Sequence, residues 1–304
     1  MANLNKTPEQ INRALGQRIK GSDRAIAKRY AVMLNEVRAE IASLYEKYEV
    51  GGVLTYAEMA KYDRLNKFTG KVNGLLKTNY ADIKDTIYDV LGESYKDGFY
   101  MTAWAVETDT LSKLAYSAVS AEVITKSIEN PISGLTLNHR LEKSRSNVVY
   151  AIQEQVTLGL VRGDTYGTMA SRLKGVLEGD ATKAMAIVRT EAHRVSQASQ
   201  FDSAVHANRN GIIMTKEWGS AKDERVRSSH AELNTGEKIP VDEDFHGKSG
   251  SGPAPGQLGS AASENINCRC VLYYSVESIG RPNARELEGM AFDTWQNERI
   301  RGEG

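Results

Sequence analysis

The cysteines of this chain, Cys268 and Cys270, are separated by a single arginine in the stretch INCRC. A disulfide across one intervening residue is strained, because the Cα spacing and side-chain directions do not suit it. Thiols at alternate positions of an extended segment face the same side. Such a pair serves as metal ligands, as nucleophiles or as small core residues. For a metal, His230 supplies a third ligand, and His246 or His193 a fourth, which would complete a tetrahedral set of the kind zinc prefers. The candidate metal ligands are therefore His230, Cys268 and Cys270. Against this reading, the spacing is not Cys-x-x-Cys, and alternate strand positions often serve packing. A nucleophilic cysteine would also need a base and an oxyanion pocket, and the pattern names neither.

Other stretches of the second half carry charge in a pattern: RTE at 189–191, KEW at 216–218, DERVRSSHAEL at 223–233 and NCRC at 267–270. Arg189 and Glu191 are two apart, so on a helix they do not face each other and each must find a partner elsewhere. Arg189 is expected to reach Asp223. Asp223, Arg225 and Arg227 alternate as on a strand or extended turn. The reading that uses all of these residues is a structural polar network of Arg189, Glu191, Trp218, Asp223, Arg225, Arg227, His230, Asn267 and Arg269, bracing a module with a small core. On that reading Asp223→Ala strips a half-buried arginine of its partner and destabilises the module. The competing chemistry is an anion site, or a metal-assisted hydrolase or nuclease centre of Glu191, Asp223 and His230. The sparse carboxylates of this region and the five histidines of the chain argue against an enzyme.

These residues must be positioned by a chain of 304 residues with 40% hydrophobic and 26% charged content and zero formal net charge. That balance suits a folded chain with a core and removes any global argument for coating nucleic acid. No run of about 18 apolar residues is present, so no membrane span is expected. The opening MANLNKTPEQ lacks the apolar stretch of a secretory leader, and a reducing compartment is the expectation. The first thirty residues form a modest basic arm, with Arg13, Arg18, Lys20, Arg24, Lys28 and Arg29 as candidate DNA or portal contacts; a solvated helix face is the other reading.

Residues 9–210 read as successive helices. Ile26, Tyr30, Met33, Val37 and Ile41 recur at helical steps, with Ser22-Asp23 as N-cap and Gly51-Gly52 as stop. TYAE at 55–58 is a capping box opening a helix expected to end near Gly74. Pro131 breaks the series, and further helices are expected over 137–162, after Asp164 and over 181–210. Ten of the fourteen tyrosines fall between Tyr30 and Tyr116, which suits helix–helix seams better than a base-stacking platform. From Gly211 the texture changes: IIMTKEW and CRCVLYYSV read as strands around a Gly/Ser/Pro loop at 247–260. The expected fold is mainly α with a small C-terminal α+β unit: a helical body over 1–180, an α+β module over 181–280 and a closing helix or tail over 281–304.

In order along the chain, Arg189-Thr190-Glu191, Trp218, Asp223, Arg225, Arg227, His230, Leu233 and Asn267-Cys268-Arg269-Cys270 resemble the motif of the phage Mu protein F-like head morphogenesis family. The resemblance spans about residues 185–275. It implies a structural minor head protein of a tailed bacteriophage, not an enzyme. Such a protein associates with the portal, and with scaffold or major capsid protein, in the host cytoplasm during assembly. It is then packaged inside the capsid, where it meets double-stranded DNA non-specifically or leaves with it. A delivered docking module is the alternative within the family. Relatives carry Cys-x-x-Cys where this chain has Arg227-Ser-Ser-His230, and arginine does not ligate a metal. The cysteine pair is thus expected to be half of a degenerate metal clip, binding substoichiometric zinc or none.

Overall fold

The computed structural model describes residues 2–221, 223–248, 250–280 and 284–302. Long helices dominate: α1 (Ala2–Tyr48), α3 (Arg64–Thr110), α5 (Leu137–Arg162) and α6 (Tyr166–Arg209), with short α2 (Tyr56–Ala60) and α4 (Ala121–Ile128) between them. Beyond Gly211 come β1 (Ile212–Gly219), α7 (Ser228–Glu232), β2 (Lys238–Pro240), β3 (Phe245–Gly247), β4 (Gly250–Gly252), α8 (Ala262–Asn265), β5 (Val271–Ile279) and α9 (Phe292–Gln296). The fold is mainly α with a small α+β part, as expected.

The helices are longer than their breakers suggest. α1 runs through Ser22-Asp23 without a cap, because its buried stripe begins upstream at Leu4, Ile11 and Leu15. α3 does not stop near Gly74. Phe68, Val72, Leu76, Tyr80, Ile83, Ile87, Leu91 and Tyr95 form one unbroken buried stripe, and Gly70 and Gly74 lie on the exposed face. Each exposed glycine costs about 1 kcal/mol, which the stripe on either side outweighs. The same argument joins the two helices expected on either side of Gly179 into α6. Thr55 does cap α2, accepting from the Glu58 backbone N–H at 3.2 Å. α2 then lasts one turn, since Tyr62 and Asp63 adopt left-handed backbone.

The chain divides into two compact units, and they are not the sequential blocks expected. One comprises residues 21–88 and 137–187; the other comprises 1–20, 89–136 and 188–304. The reason is the helix length: α1, α3 and α6 each contribute to both units, so no boundary falls at residue 180. Residues 281–283, where the expected tail begins, lie outside those described.

The helical unit has a polar centre. Asp180, 4% exposed, accepts hydrogen bonds from the hydroxyls of Tyr30 and Tyr80 through Oδ2, and from Ser144 Oγ through Oδ1 at 2.6 Å. Burial, with the Asp180 carboxylate adding to it, pushes both tyrosines far above their usual pKa. These tyrosines pack edge-on to each other, which supports the seam reading.

The second unit carries the three-stranded antiparallel sheet in the order β2-β1-β5 and the separate β3–β4 hairpin, which occupies part of the loop expected at 247–260. On β1, Ile212, Met214, Lys216 and Trp218 face the core. Lys216 is fully buried there; its Nζ donates to the Pro253 carbonyl at 2.9 Å and lies over the Phe201 and Phe245 rings. Burial lowers its pKa to about 8. Glu107, equally buried, accepts from Trp295 Nε1 at 2.7 Å and from Arg299 at 3.1 Å, fastening the α9 segment to α3.

Removing the Asp180 carboxylate leaves two phenols and a serine hydroxyl without their acceptor. Asp180→Ala is expected to destabilise the protein by about 3 kcal/mol, from the cost of buried unsatisfied groups, as read by urea denaturation.

Candidate functional site

The motif residues converge on the second half of α6. From Thr190 to Gln200 this helix is buried almost all round, although Thr190, Glu191, Arg194, Ser196, Gln197, Ser199 and Gln200 are polar. Polar groups removed from water need partners, and each of the following side chains finds one on a different neighbour. Thr190 Oγ1 exchanges contacts with Asn267, accepting from its backbone N–H at 3.3 Å. His193 Nε2 hydrogen-bonds the Cys270 carbonyl at 2.8 Å, and Gln197 Oε1 accepts from the Leu272 N–H at 3.1 Å. Asn267 takes left-handed backbone (φ 56°), which asparagine tolerates better than most residues.

Arg194 is the centre of this arrangement. It is 2% exposed and pairs with Glu191, 0% exposed, at 2.8 Å. Its remaining donors reach the carbonyls of Ser127 and Ile128, both at 2.9 Å, at the C-terminus of α4. The guanidinium thus satisfies the last carbonyls of a helix at its negative end. Gly256, at φ 81°, packs against the Arg194 stem, where a Cβ would come within 3.1 Å.

The partner expected for Asp223 is corrected. Arg189 is exposed on α6, and Asp223 instead pairs in bidentate fashion with Arg269, whose Nη2 lies 2.7 Å from Oδ1. Both side chains are about two-fifths exposed (39% and 43%), so this is a surface pair and not a half-buried one. Arg269 holds the Asp223 carboxyl down to about 2. Residues 223–227 form turns, not a strand: Asp223 Oδ1 accepts from the Arg225 N–H at 3.0 Å, and the Arg225 side chain is exposed. Arg227 donates to the Ile266 carbonyl at 2.5 Å.

The cysteines lie immediately before β5, and both are buried and unpaired by disulfide. His230 on α7 is buried beside them, its Nδ1 3.3 Å from Cys270 Sγ and 3.6 Å from Cys268 Sγ. These three side chains can present ligand atoms all within 4.8 Å of one another. His246 instead meets Ser251 on the hairpin. On its other side, His230 Nε2 meets Glu264 Oε2 at 3.1 Å, and Ser229 Oγ donates to the same carboxylate oxygen at 2.9 Å. Trp218 packs edge-on against the imidazole at 5.5 Å. The Cys270 thiol and the imidazoles of His193 and His230 stabilise a Cys268 thiolate and lower its pKa, and that thiolate in turn pushes the Cys270 thiol up. For His230, burial opposes the charged form, but Cys268 and Glu264 outweigh it and its pKa rises.

Of the expected network, Glu191, Trp218, His230 and Asn267 join this buried arrangement, while Asp223, Arg225, Arg227 and Arg269 sit at its rim. Arg194 and Glu264 were not anticipated. The signal available was position: Arg194 lies three residues from Glu191, within reach on a helix.

A family model for Phage Mu protein F like protein matches residues 150–273. The minor head protein GP7 of Bacillus phage SPP1 is 33% identical over 301 residues, covering 96% of this chain and 97% of that protein. This chain belongs to the phage Mu protein F-like family. A more distant relative, an NAD(+)–arginine ADP-ribosyltransferase EFV of Enterococcus faecalis, is 24% identical and aligns with 99% of this chain but 62% of its own length. No solved structure matches.

Arg194→Met leaves Glu191 buried without its counter-charge and is expected to cost about 3–5 kcal/mol. Asp223→Ala, at the rim, is expected to melt like the wild type. Calorimetry of the two variants side by side checks the contrast.

Proposed function

We propose that this protein is a structural minor head protein of a tailed bacteriophage. In this reading it associates with the portal while the head assembles, is packaged inside the capsid, and touches the genome through exposed basic side chains. The carrying observation is the nearly end-to-end match to a phage minor head protein. The site supports a structural role. Glu191 is taken up by Arg194, Asp223 by Arg269, and His230 by Glu264 and the thiols, so the motif's polar groups face one another.

Of the basic arm, Arg18 is held by Asp97 at 2.6 Å and Arg29 by Asp82 at 2.9 Å. Their charge is already engaged within the fold. Arg13, Lys20, Arg24 and Lys28 are exposed on α1 and are the side chains assigned to DNA phosphates or an acidic portal surface. Phosphate contacts of this kind weaken steeply with salt.

Co-expression with the portal protein of the same phage should yield a complex that survives size exclusion, and the protein should appear in purified heads. Changing Arg13, Lys20, Arg24 and Lys28 together to Glu should abolish any salt-sensitive DNA retention while leaving the melting curve intact. Absence from heads together with transfer of ADP-ribose from NAD to an arginine substrate would overturn the structural reading.

A further inference from the structure

We propose that His230 Nδ1, Cys268 Sγ and Cys270 Sγ bind one zinc ion, with a water in the fourth position, as a structural clip. Bond lengths of a tetrahedral zinc site place an imidazole nitrogen about 3.6 Å from a neighbouring sulfur. The two N–S separations here, 3.3 and 3.6 Å, already match that edge. Two of the three ligand edges therefore already have the length a metal site requires, and all three ligand atoms lie within 4.8 Å of one another.

The surroundings are those of a metal ligand set. Glu264 at His230 Nε2, itself fixed by Ser229, is the carboxylate–histidine arrangement that sets the tautomer with Nδ1 free to ligate. The Ala221 backbone N–H and the Trp218 indole lie near the Cys270 sulfur. Trp218 Nε1 has no other acceptor among the described residues. Two thiolates and a neutral imidazole balance the charge of a divalent ion, and any protons the ligands carry are released to solvent on binding. A small pocket bordered by His230, Cys270, Arg227 and Asn267 has a volume of about 10 Å³, room for one water and not for a substrate. Bound there, the ion ties α7, and the turns before it, to the start of β5.

The inference reverses the expectation of a degenerate clip. Arg227 does not ligate, and His230 takes the place of the missing pair beside the two thiols.

The test uses the full-length protein, purified under reducing conditions without an affinity metal, its thiols verified free. Metal analysis should give one zinc per chain. After chelation, cobalt(II) should restore one equivalent, with thiolate-to-cobalt charge-transfer bands and the intense visible absorption of four-coordinate cobalt. Zinc should then displace the cobalt and raise the melting midpoint. Glu264→Gln should weaken zinc affinity about 10- to 100-fold while Cys268→Ser and Cys270→Ser abolish the charge-transfer bands. Should the serine variants not fold, the wild-type cobalt spectrum decides. Stripped, fully reduced wild type that takes up neither cobalt nor zinc overturns the proposal, as does a cobalt spectrum without thiolate bands.

Discussion

A helix rich in polar residues cannot be buried unless each polar group finds a partner, and that constraint shapes the C-terminal unit. Along α6, Thr190, His193, Arg194 and Gln197 each hold a different neighbour: the loop before the cysteines, the Cys270 carbonyl, the end of α4, and the N–H of Leu272 on β5. Apolar contact alone would let these elements slide. Directional bonds to backbone atoms define their positions, because misplacing any one leaves a polar group stranded in the core. Arg194 carries the largest stake. Its desolvation is offset by Glu191 and by carbonyls whose partial charge already favours a cation.

The same rule operates in the helical unit. Asp180, on the earlier part of α6, gathers three hydroxyls from Tyr30, Tyr80 and Ser144. Lys216 and Glu107 are further cases, one held by a carbonyl and two rings, the other by an indole and an arginine. Such polar centres bear directly on the family's work. A head component needs a defined surface more than a mobile cleft, and buried directional bonds favour a single arrangement over a loosely packed one. The ion proposed at His230 extends the rule to α7, whose five residues bury too little to hold themselves in place.

The sequence made some of this legible. The strands β1 and β5 follow from β-branched and aromatic runs, α5 from its stripe, and the α2 cap from Thr55-x-x-Glu58. The convergence of the RTE and NCRC segments appears as Thr190 against Asn267. Other features were hidden for physical reasons. Glycines at 74 and 179 read as breakers because periodicity was weighed locally, whereas the buried stripe acts over the whole helix. Arg194 does not stand out because two of its three partners, the Ser127 and Ile128 carbonyls, leave no mark in a sequence. Asp223 met Arg269 and not Arg189 because residues 223–227 turn instead of extending, carrying the carboxylate to the rim. Glu264 sits on a four-residue helix just after the glycine-rich loop, too short for any periodicity to show.

The most direct test of the buried polar spine is native-state hydrogen exchange resolved by residue. Backbone amides of α6 from Glu191 to Ser203, and the Leu272 amide held by Gln197, should exchange only through global unfolding, with equal free energies. Exchange of this helix segment through local openings well below that free energy, while the β1–β5 ladder remains protected, would contradict the account.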